Sequence, residues 1–205
     1  MAQTRVVIAF GDSITWGFGD GNARCPGDPN GPPRAGGYPP RLTNRLGDSG
    51  IPNEIRNEGA CGEVTAGGVT RLPTVLEQNP DTDVVVIMEG TNDISDRDIS
   101  TESMRANIAT MVQTALDAEI WPVLASPIPR SPEAAGSNDR AGFLTSLIRE
   151  DAMEAGIDFA NPFNDMIDIV DLYDRFYADP YHPNAAGYGL LTDILEPATV
   201  AALDR

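Results

Sequence analysis

Short apolar runs alternate with longer stretches of helical spacing along the whole of this chain, and that alternation leaves few folds open to it. Val6 to Phe10, Asn53 to Arg56, Asp83 to Met88, Trp121 to Ala125 and Ile157 to Ala160 read as strands. Helices are predicted over about 38–48, 65–78, 101–118, 138–155 and 184–203. Ser100 or Thr101 can cap the third, with Glu102 in its first turn, and Leu190, Leu191, Ile194 and Leu195 share one side of the fifth. Such an order predicts a parallel sheet covered by helices on both faces. With 205 residues and 41% hydrophobic content, one α/β domain spanning residues 1–205 is expected. There is no internal repeat. The loop from Gly17 to Gly37, crowded with Gly, Pro, Asn and Asp, reads as a surface insertion and not a boundary.

Composition closes off several chemistries. All 14 basic residues are Arg, so neither a Schiff-base lysine nor a P-loop Gly-Lys pair can occur. One histidine, His182, and two cysteines, Cys25 and Cys61, cannot assemble a zinc finger or a multi-histidine zinc centre. Asp and Glu are abundant enough for a Mg²⁺ or Ca²⁺ site, but the chemistry below needs none, and neither metal nor cofactor is expected. A net charge of −17 argues against nucleic acid, whose phosphates need a basic surface. An acidic surface is also repelled by anionic lipid headgroups, and it fits tolerance of salt. The longest apolar runs, such as Val84 to Met88, are too short to span a membrane. No apolar leader segment is visible, so a cytoplasmic protein is expected, or a secreted one had a leader been removed. Two cysteines do not make a disulfide framework; one bridge or two buried thiols would fit, and thiols are the expectation.

In sheets of this kind, ligands bind at the carboxyl ends of strands, near the point where strand order reverses. After the first strand comes Gly11-Asp12-Ser13-Ile14-Thr15, and after the third Glu89-Gly90-Thr91-Asn92-Asp93. Past the fifth, beyond an irregular stretch, comes Asp179-Pro180-Tyr181-His182-Pro183-Asn184. Together these turns offer a hydroxyl, an amide, an imidazole and a carboxylate, the inventory for acyl transfer. Ser13 reads as a nucleophile near backbone N–H groups, or as a helix N-cap. His182 is either the base that takes its proton or a cap for the helix starting near Asn184. Asp179, three residues earlier, can hold Nδ1–H and leave Nε2 free. Asn92 can offer a side-chain N–H to an oxyanion, or form an Asx turn or helix cap. Gly62, in Asn57-Glu58-Gly59-Ala60-Cys61-Gly62-Glu63, lets a backbone N–H approach a ligand, or serves a φ > 0 turn. A nucleophile needs a base, so the catalytic readings of Ser13 and His182 support each other.

The order and character of these four blocks resemble the SGNH hydrolases, also called the GDSL esterase/lipase family, from Gly11 to Asn184. Gly11-Asp12-Ser13-Ile14 is similar to the first block, with Ile for the usual Leu. Gly62, or its neighbour Gly59, is similar to the second-block glycine. Gly90-Thr91-Asn92-Asp93 is similar to the third block, and Asp179-x-x-His182 to the fifth, with Pro180 where a glycine is common. The resemblance implies a three-layer α/β/α sandwich with a five-stranded parallel sheet in the flavodoxin-like order 2-1-3-4-5, setting Ser13 beside Asn92. It implies Ser13 as nucleophile, His182 as base and Asp179 as its orienter. The implied oxyanion hole is Ser13 N–H, Gly62 N–H and the Asn92 side chain. The Gly-x-Ser-x-Gly elbow of other serine hydrolases is absent, since Thr15 stands where its second Gly should be.

The activity expected is hydrolysis of short-chain, acetyl-type carboxylic esters through an acyl-enzyme. Its partner is a small-molecule or carbohydrate ester. Trp16, Asp12 and Thr91 are expected at the substrate. Trp16, Phe18 and Tyr38, beside the Gly17 to Gly37 insertion, either line an acyl or aryl site or simply pack. The Ile of GDSI and the segment from His182 to Tyr188 also look like those of carbohydrate acetyl esterases, so sugar O-deacetylation of the acetylxylan type is the second expectation. Two readings of other classes compete. One is a glycosidase using a carboxylate pair drawn from Asp12, Glu89 and Asp93; the other is a non-catalytic carbohydrate-binding protein.

Overall fold

The five apolar runs become strands β1 (Arg5–Gly11), β2 (Asn53–Gly59), β3 (Val84–Met88), β4 (Trp121–Ala125) and β5 (Asp158–Ala160). The computed structural model describes residues 3–21, 25, 36–134 and 136–205. All neighbouring strands are parallel, and their order is β2-β1-β3-β4-β5, as the family resemblance implied. β2 runs past Arg56 because Asn57, Glu58 and Gly59 pair with Ala9, Phe10 and Gly11. As an edge strand it is hydrogen-bonded on one side only, and it keeps the polar side chains that made its end read as a turn.

The helices are α1 (Ser13–Trp16), α2 (Tyr38–Asp48), α3 (Thr65–Gln78), α4 (Thr91–Ser95), α5 (Thr101–Asp117), α6 (Asn138–Ala155), α7 (Pro162–Ile167), α8 (Leu172–Phe176) and α9 (Ala185–Leu203). The long ones fall where periodicity puts them, and Ser100 caps α5 by accepting the Ser103 N–H. The short α7 and α8 occupy the stretch after β5 that reads as irregular, because so few residues carry no helical period.

Side chains alternate across the central strands, as a pleated strand requires. Val7, Ala9, Val84 and Val86 pack with Leu42 of α2 and Leu191 of α9 on one face. Ile8, Phe10, Val85 and Ile87 pack with Leu72 of α3, Met111 of α5 and Leu144 of α6 on the other. Burial on both faces explains why these strands are unbroken apolar runs. Among the described residues, no helix is long and apolar enough to cross a membrane.

From β1 the chain passes outward to the edge strand β2, then returns to β3 on the other side of β1. The turns after β1 and β3 therefore part company at one sheet edge and leave a crevice between them. Cys25 and Cys61 correct one expectation: they form a disulfide, with Cα atoms 5.8 Å apart across a sequence separation of 36. Cys61 lies just past the carboxyl end of β2 and Cys25 in the insertion after α1, and only the fold brings the two loops together.

Candidate active site

Three helix starts meet at the crevice, and each gives the capping role to a neighbour of the residue in question. At α1, Asp12 Oδ1 accepts the Ile14 N–H at 2.8 Å, so Asp12 is the cap and Ser13 is not. α4 begins at Thr91 behind Gly90, whose φ of 109° suits glycine. Asn92 therefore sits within the helix, and its Nδ2 donates to the Glu63 carbonyl at 2.7 Å. At α9, Asn184 Oδ1 takes the N–H groups of Ala186 and Gly187 at 2.9 and 3.0 Å, leaving His182 free of the helix end.

Ser13 Oγ lies 2.8 Å from His182 Nε2. On the other side of the ring, Nδ1 lies 2.8 Å from Asp179 Oδ2 and 3.0 Å from Oδ1. Asp179 Oδ1 also accepts the backbone N–H groups of Tyr181 and His182, each at 2.8 Å. Burial pushes the Asp179 carboxyl up, but these backbone donors and the imidazole outweigh it and hold the group below the usual carboxylate range. An ionised carboxylate only accepts, so the ring hydrogen belongs on Nδ1, and Nε2 is left to accept the Ser13 hydroxyl. The Phe18 ring packs against the imidazole, centroids 4.5 Å apart.

Ser13 and His182 open onto a cavity of about 290 Å³ also bordered by Phe18, Gly62, Thr91 and Asn92. A larger hollow of about 370 Å³ between α5 and α6 holds neither a hydroxyl nucleophile nor an imidazole. The geometry separates the two candidate glycines. Gly59 spends its N–H on Asn57 Oδ1 at 2.9 Å, and a Cβ there would come within 2.2 Å of the Trp16 nitrogen. Gly62, with φ of 76°, borders the cavity, and among the described residues nothing lies within 4 Å of where its Cβ would stand. The Ser13 N–H belongs to the first turn of α1, outside the helix ladder. Three N–H donors, from Ser13, Gly62 and the Asn92 amide, thus stand around one cavity.

Two of the residues expected at the substrate lie off the cavity wall. Asp12 is 1% exposed and Trp16 7%, and neither borders the cavity; one caps α1, and the other packs over the end of β2. Tyr38 is fully buried with its hydroxyl near Thr15 Oγ1. Thr91 does border the cavity, and of the three aromatic candidates Phe18 alone reaches it. Residues 22–24 and 26–35 of the Gly17 to Gly37 insertion lie outside the described residues, while Cys25 borders the cavity. The carboxylates a glycosidase would need, Asp12, Glu89 and Asp93, are all buried and none opens onto the cavity. Asp93 is instead held by the N–H and hydroxyl of Thr65. Among the described residues, no group of three or more His, Cys, Asp or Glu is placed to hold a metal ion.

One buried residue escapes a reading of the turns after the first, third and fifth strands. Arg130, 2% exposed, follows β4 and donates to the Thr91 carbonyl at 2.7 Å and to Ser95 Oγ at 2.8 Å. The next residue, Ser131, donates its N–H to the Pro180 carbonyl at 3.0 Å. This segment therefore ties the Asn92 turn to the Asp179–His182 loop.

A model of the GDSL-like lipase/acylhydrolase family matches residues 9–190. Esterase TesA of Pseudomonas aeruginosa is 29% identical over 114 residues, which is 56% of this chain and 49% of TesA. The match thus spans about half the length of that relative. A lipase/acylhydrolase from Enterococcus faecalis superposes with a TM-score of 0.76 at 26% identity, covering 95% of this chain and 94% of its own. AlinE4, an SGNH-hydrolase family esterase, superposes with a TM-score of 0.68 at 27% identity, covering 99% of this chain and 98% of its own. With its strand order, its turn sequences and a family match running from residue 9 to residue 190, this chain belongs to the GDSL-like lipase/acylhydrolase family.

Proposed function

We propose that the protein is a serine esterase that hydrolyses short acyl, acetyl-type carboxylic esters. The observation that carries this reading is the chain of hydrogen bonds from Ser13 Oγ, at the rim of a cavity, through His182 to Asp179. Neutral His182 takes the Ser13 proton at Nε2 as Oγ attacks the ester carbonyl. Asp179 steadies the imidazolium that results. The oxyanion receives hydrogen bonds from Ser13 N–H, Gly62 N–H and the Asn92 amide. His182 then returns its proton to the leaving alcohol. An acyl-enzyme on Ser13 remains, and water, deprotonated by the same imidazole, releases the acid.

A cavity of about 290 Å³ is at the small end for ligand sites and suits a short acyl group. An O-acetylated carbohydrate is the second reading, supported by two aromatic residues, Phe18 and Tyr181, on the cavity wall beside His182. The Cys25–Cys61 bridge favours an oxidising compartment over the cytoplasm for the working enzyme. Wild type is expected to cleave p-nitrophenyl acetate and to be labelled at Ser13 by a fluorophosphonate probe, and Ser13→Ala to lose both. Full turnover by Ser13→Ala would remove the mechanism. An acyl-length series of p-nitrophenyl esters, run beside acetylated xylan, ranks the two substrate readings.

A further inference from the structure

Asn92 stands on a helix too short to hold itself. α4 has five residues, begins behind the left-handed Gly90 and ends at Asp96. A helix of that length is marginal without neighbours, so its direction depends on what grips it. Asp93 is gripped from α3, its carboxylate accepting the Thr65 N–H at 2.9 Å and the Thr65 hydroxyl at 2.5 Å. Arg140 of α6 donates to the Ile94 carbonyl at 3.0 Å. Arg130 grips the stretch that carries Asn92 itself. Its Nη2 donates to the Thr91 carbonyl at 2.7 Å and its Nη1 to Ser95 Oγ at 2.8 Å, one bond on each side of Asn92 in the chain. The Thr91 carbonyl belongs to the same planar peptide group as the Asn92 N–H, so the first of these bonds fixes the plane from which the Asn92 side chain springs.

Arg130 is itself held in place. It is 2% exposed. Its backbone N–H donates to Asn138 Oδ1, and its carbonyl accepts from Asn138 Nδ2, each at 2.9 Å. The guanidinium is a rigid planar fork, and its charge makes each bond about twice as strong as a neutral one. The same short segment reaches the loop of Asp179 and His182 through its backbone. Ser131 N–H meets the Pro180 carbonyl at 3.0 Å, and the Pro129 carbonyl accepts the Tyr177 hydroxyl. At the Asn92 amide, one N–H is held by the Glu63 carbonyl at 2.7 Å. The other makes only a long 3.4 Å approach to Asp12 Oδ2, which leaves it available to an oxyanion.

From this geometry we infer that Arg130 is a positioning residue: its guanidinium fork aims the Asn92 amide, while its backbone segment keeps that donor in register with His182. The inference rests on the esterase reading above. Arg130 does not border the cavity, so it acts through Asn92 and not on the substrate. The side chain therefore matters to turnover only while Asn92 is there to be aimed.

The test is a double-variant cycle on p-nitrophenyl acetate, comparing wild type, Arg130→Met, Asn92→Ala and the two combined, with kcat and KM resolved and thermal melts beside them. Met fills much of the same space but donates no hydrogen bond. The guanidinium carbon lies 5.8 Å from the Tyr181 ring centroid, at the outer reach of a cation–π contact, so little is lost there. Arg130→Met is expected to lower kcat on the order of 10–10²-fold with KM within about threefold. In the Asn92→Ala background the same change is expected to cost less than about threefold. Losses that multiply in the double variant overturn the proposal, because Arg130 would then act elsewhere than on Asn92. A folded Arg130→Met with wild-type kcat overturns it too. Arg130→Lys keeps the charge without the planar fork and is expected to lower kcat by about 3–10-fold. Should the Met variant fail to fold, the cycle of Arg130→Lys with Asn92→Ala decides by the same criterion. A wild type that neither hydrolyses the ester nor takes a fluorophosphonate probe refutes the esterase reading itself, and this inference with it.

Discussion

Asn184 caps α9 two residues beyond His182, and the same side chain holds the loop that carries the imidazole. Its Oδ1 receives the N–H groups of Ala186 and Gly187. Its Nδ2 reaches back to the carbonyls of Arg175 at 3.0 Å and Tyr177 at 3.3 Å. The loop from Tyr177 to Pro183 is thus tied at its root, with Ala178 N–H bonded to the His182 carbonyl at 2.9 Å. The arrangement of Asp12 and Ser13 at α1 is parallel: one residue serves the helix end while its neighbour faces the cavity.

Replacing Asn184 should separate these two duties. Asn184→Ala removes a cap worth about 0.5–2 kcal/mol, which lowers Tm by roughly 2–4 °C per kcal/mol in a chain of this size. It also unties the loop and should reduce kcat by about tenfold. Asn184→Asp keeps the acceptor and loses the donor. It should recover most of the Tm and little of the turnover. Thermal melts beside steady-state kinetics read both, and full recovery of kcat by Asp would refute the loop-tie argument.

The oxyanion donor should act on turnover and not on substrate affinity. Asn92→Ala removes an N–H that matters when charge builds on the carbonyl oxygen, so kcat should fall by about 10²–10³ with KM little changed. Its fold should survive, because Asn92 caps no helix. Equal losses in kcat and in Tm would point instead to a structural role.

Reduction of Cys25–Cys61 should affect both stability and rate. The bridge closes a loop of sequence separation 36, for which chain entropy gives about 3–4 kcal/mol. Cys61 adjoins Gly62, and Cys25 borders the cavity, so release of the bridge frees the wall beside the oxyanion. Treatment with a dithiol reductant, or the Cys25→Ser/Cys61→Ser double variant, is expected to lower Tm by several degrees and reduce kcat. Indifference of both to reductant would contradict the assignment.

How much of this could be read beforehand depends on range in sequence. The central strands were legible in runs such as Val84 to Met88, since burial on both faces leaves no polar positions. The long helices were legible in their period. Ser13, Asp179 and His182 stood out because the turns that hold them follow strands, and the structure brings all three together. What escaped had no local sign. Ser13 and Asn92 each had an ordinary capping role available, and only Asp12 and Gly90 taking those roles removed it. The pairing of Cys25 with Cys61, the burial of Trp16 and the link from Arg130 to Thr91 are contacts between distant segments. Local propensity carries no information about them.

The buried acids make stability depend on pH in a direction opposite to that of most carboxylates. Burial pushes the Asp12 carboxyl up from 3.8 to about 7; the Ile14 N–H opposes this, Asp93 and Glu63 add to it, and Arg130 opposes it. Between those limits the folded chain keeps a proton that the unfolded chain releases, so stability falls as pH rises, by up to about 4 kcal/mol from this residue. Glu89, also pushed up by burial, contributes with the same sign. Asp179 is held low and has the opposite sign, but its stabilisation is lost only as pH falls below the ordinary carboxylate range. Over about pH 5 to pH 7.5 the raised acids therefore dominate, and Tm should decline across that window. Self-repulsion from a net charge of −17 pulls the same way, so the slope alone does not single out Asp12. Asp12→Asn does. It keeps an acceptor for the Ile14 N–H, removes the titration and should flatten the decline while leaving surface charge almost unchanged. A Tm that holds level or rises from pH 5 to pH 7.5 in wild type would show that Asp12 is ionised in the fold, and an Asp12→Asn slope identical to wild type would move the effect to other groups.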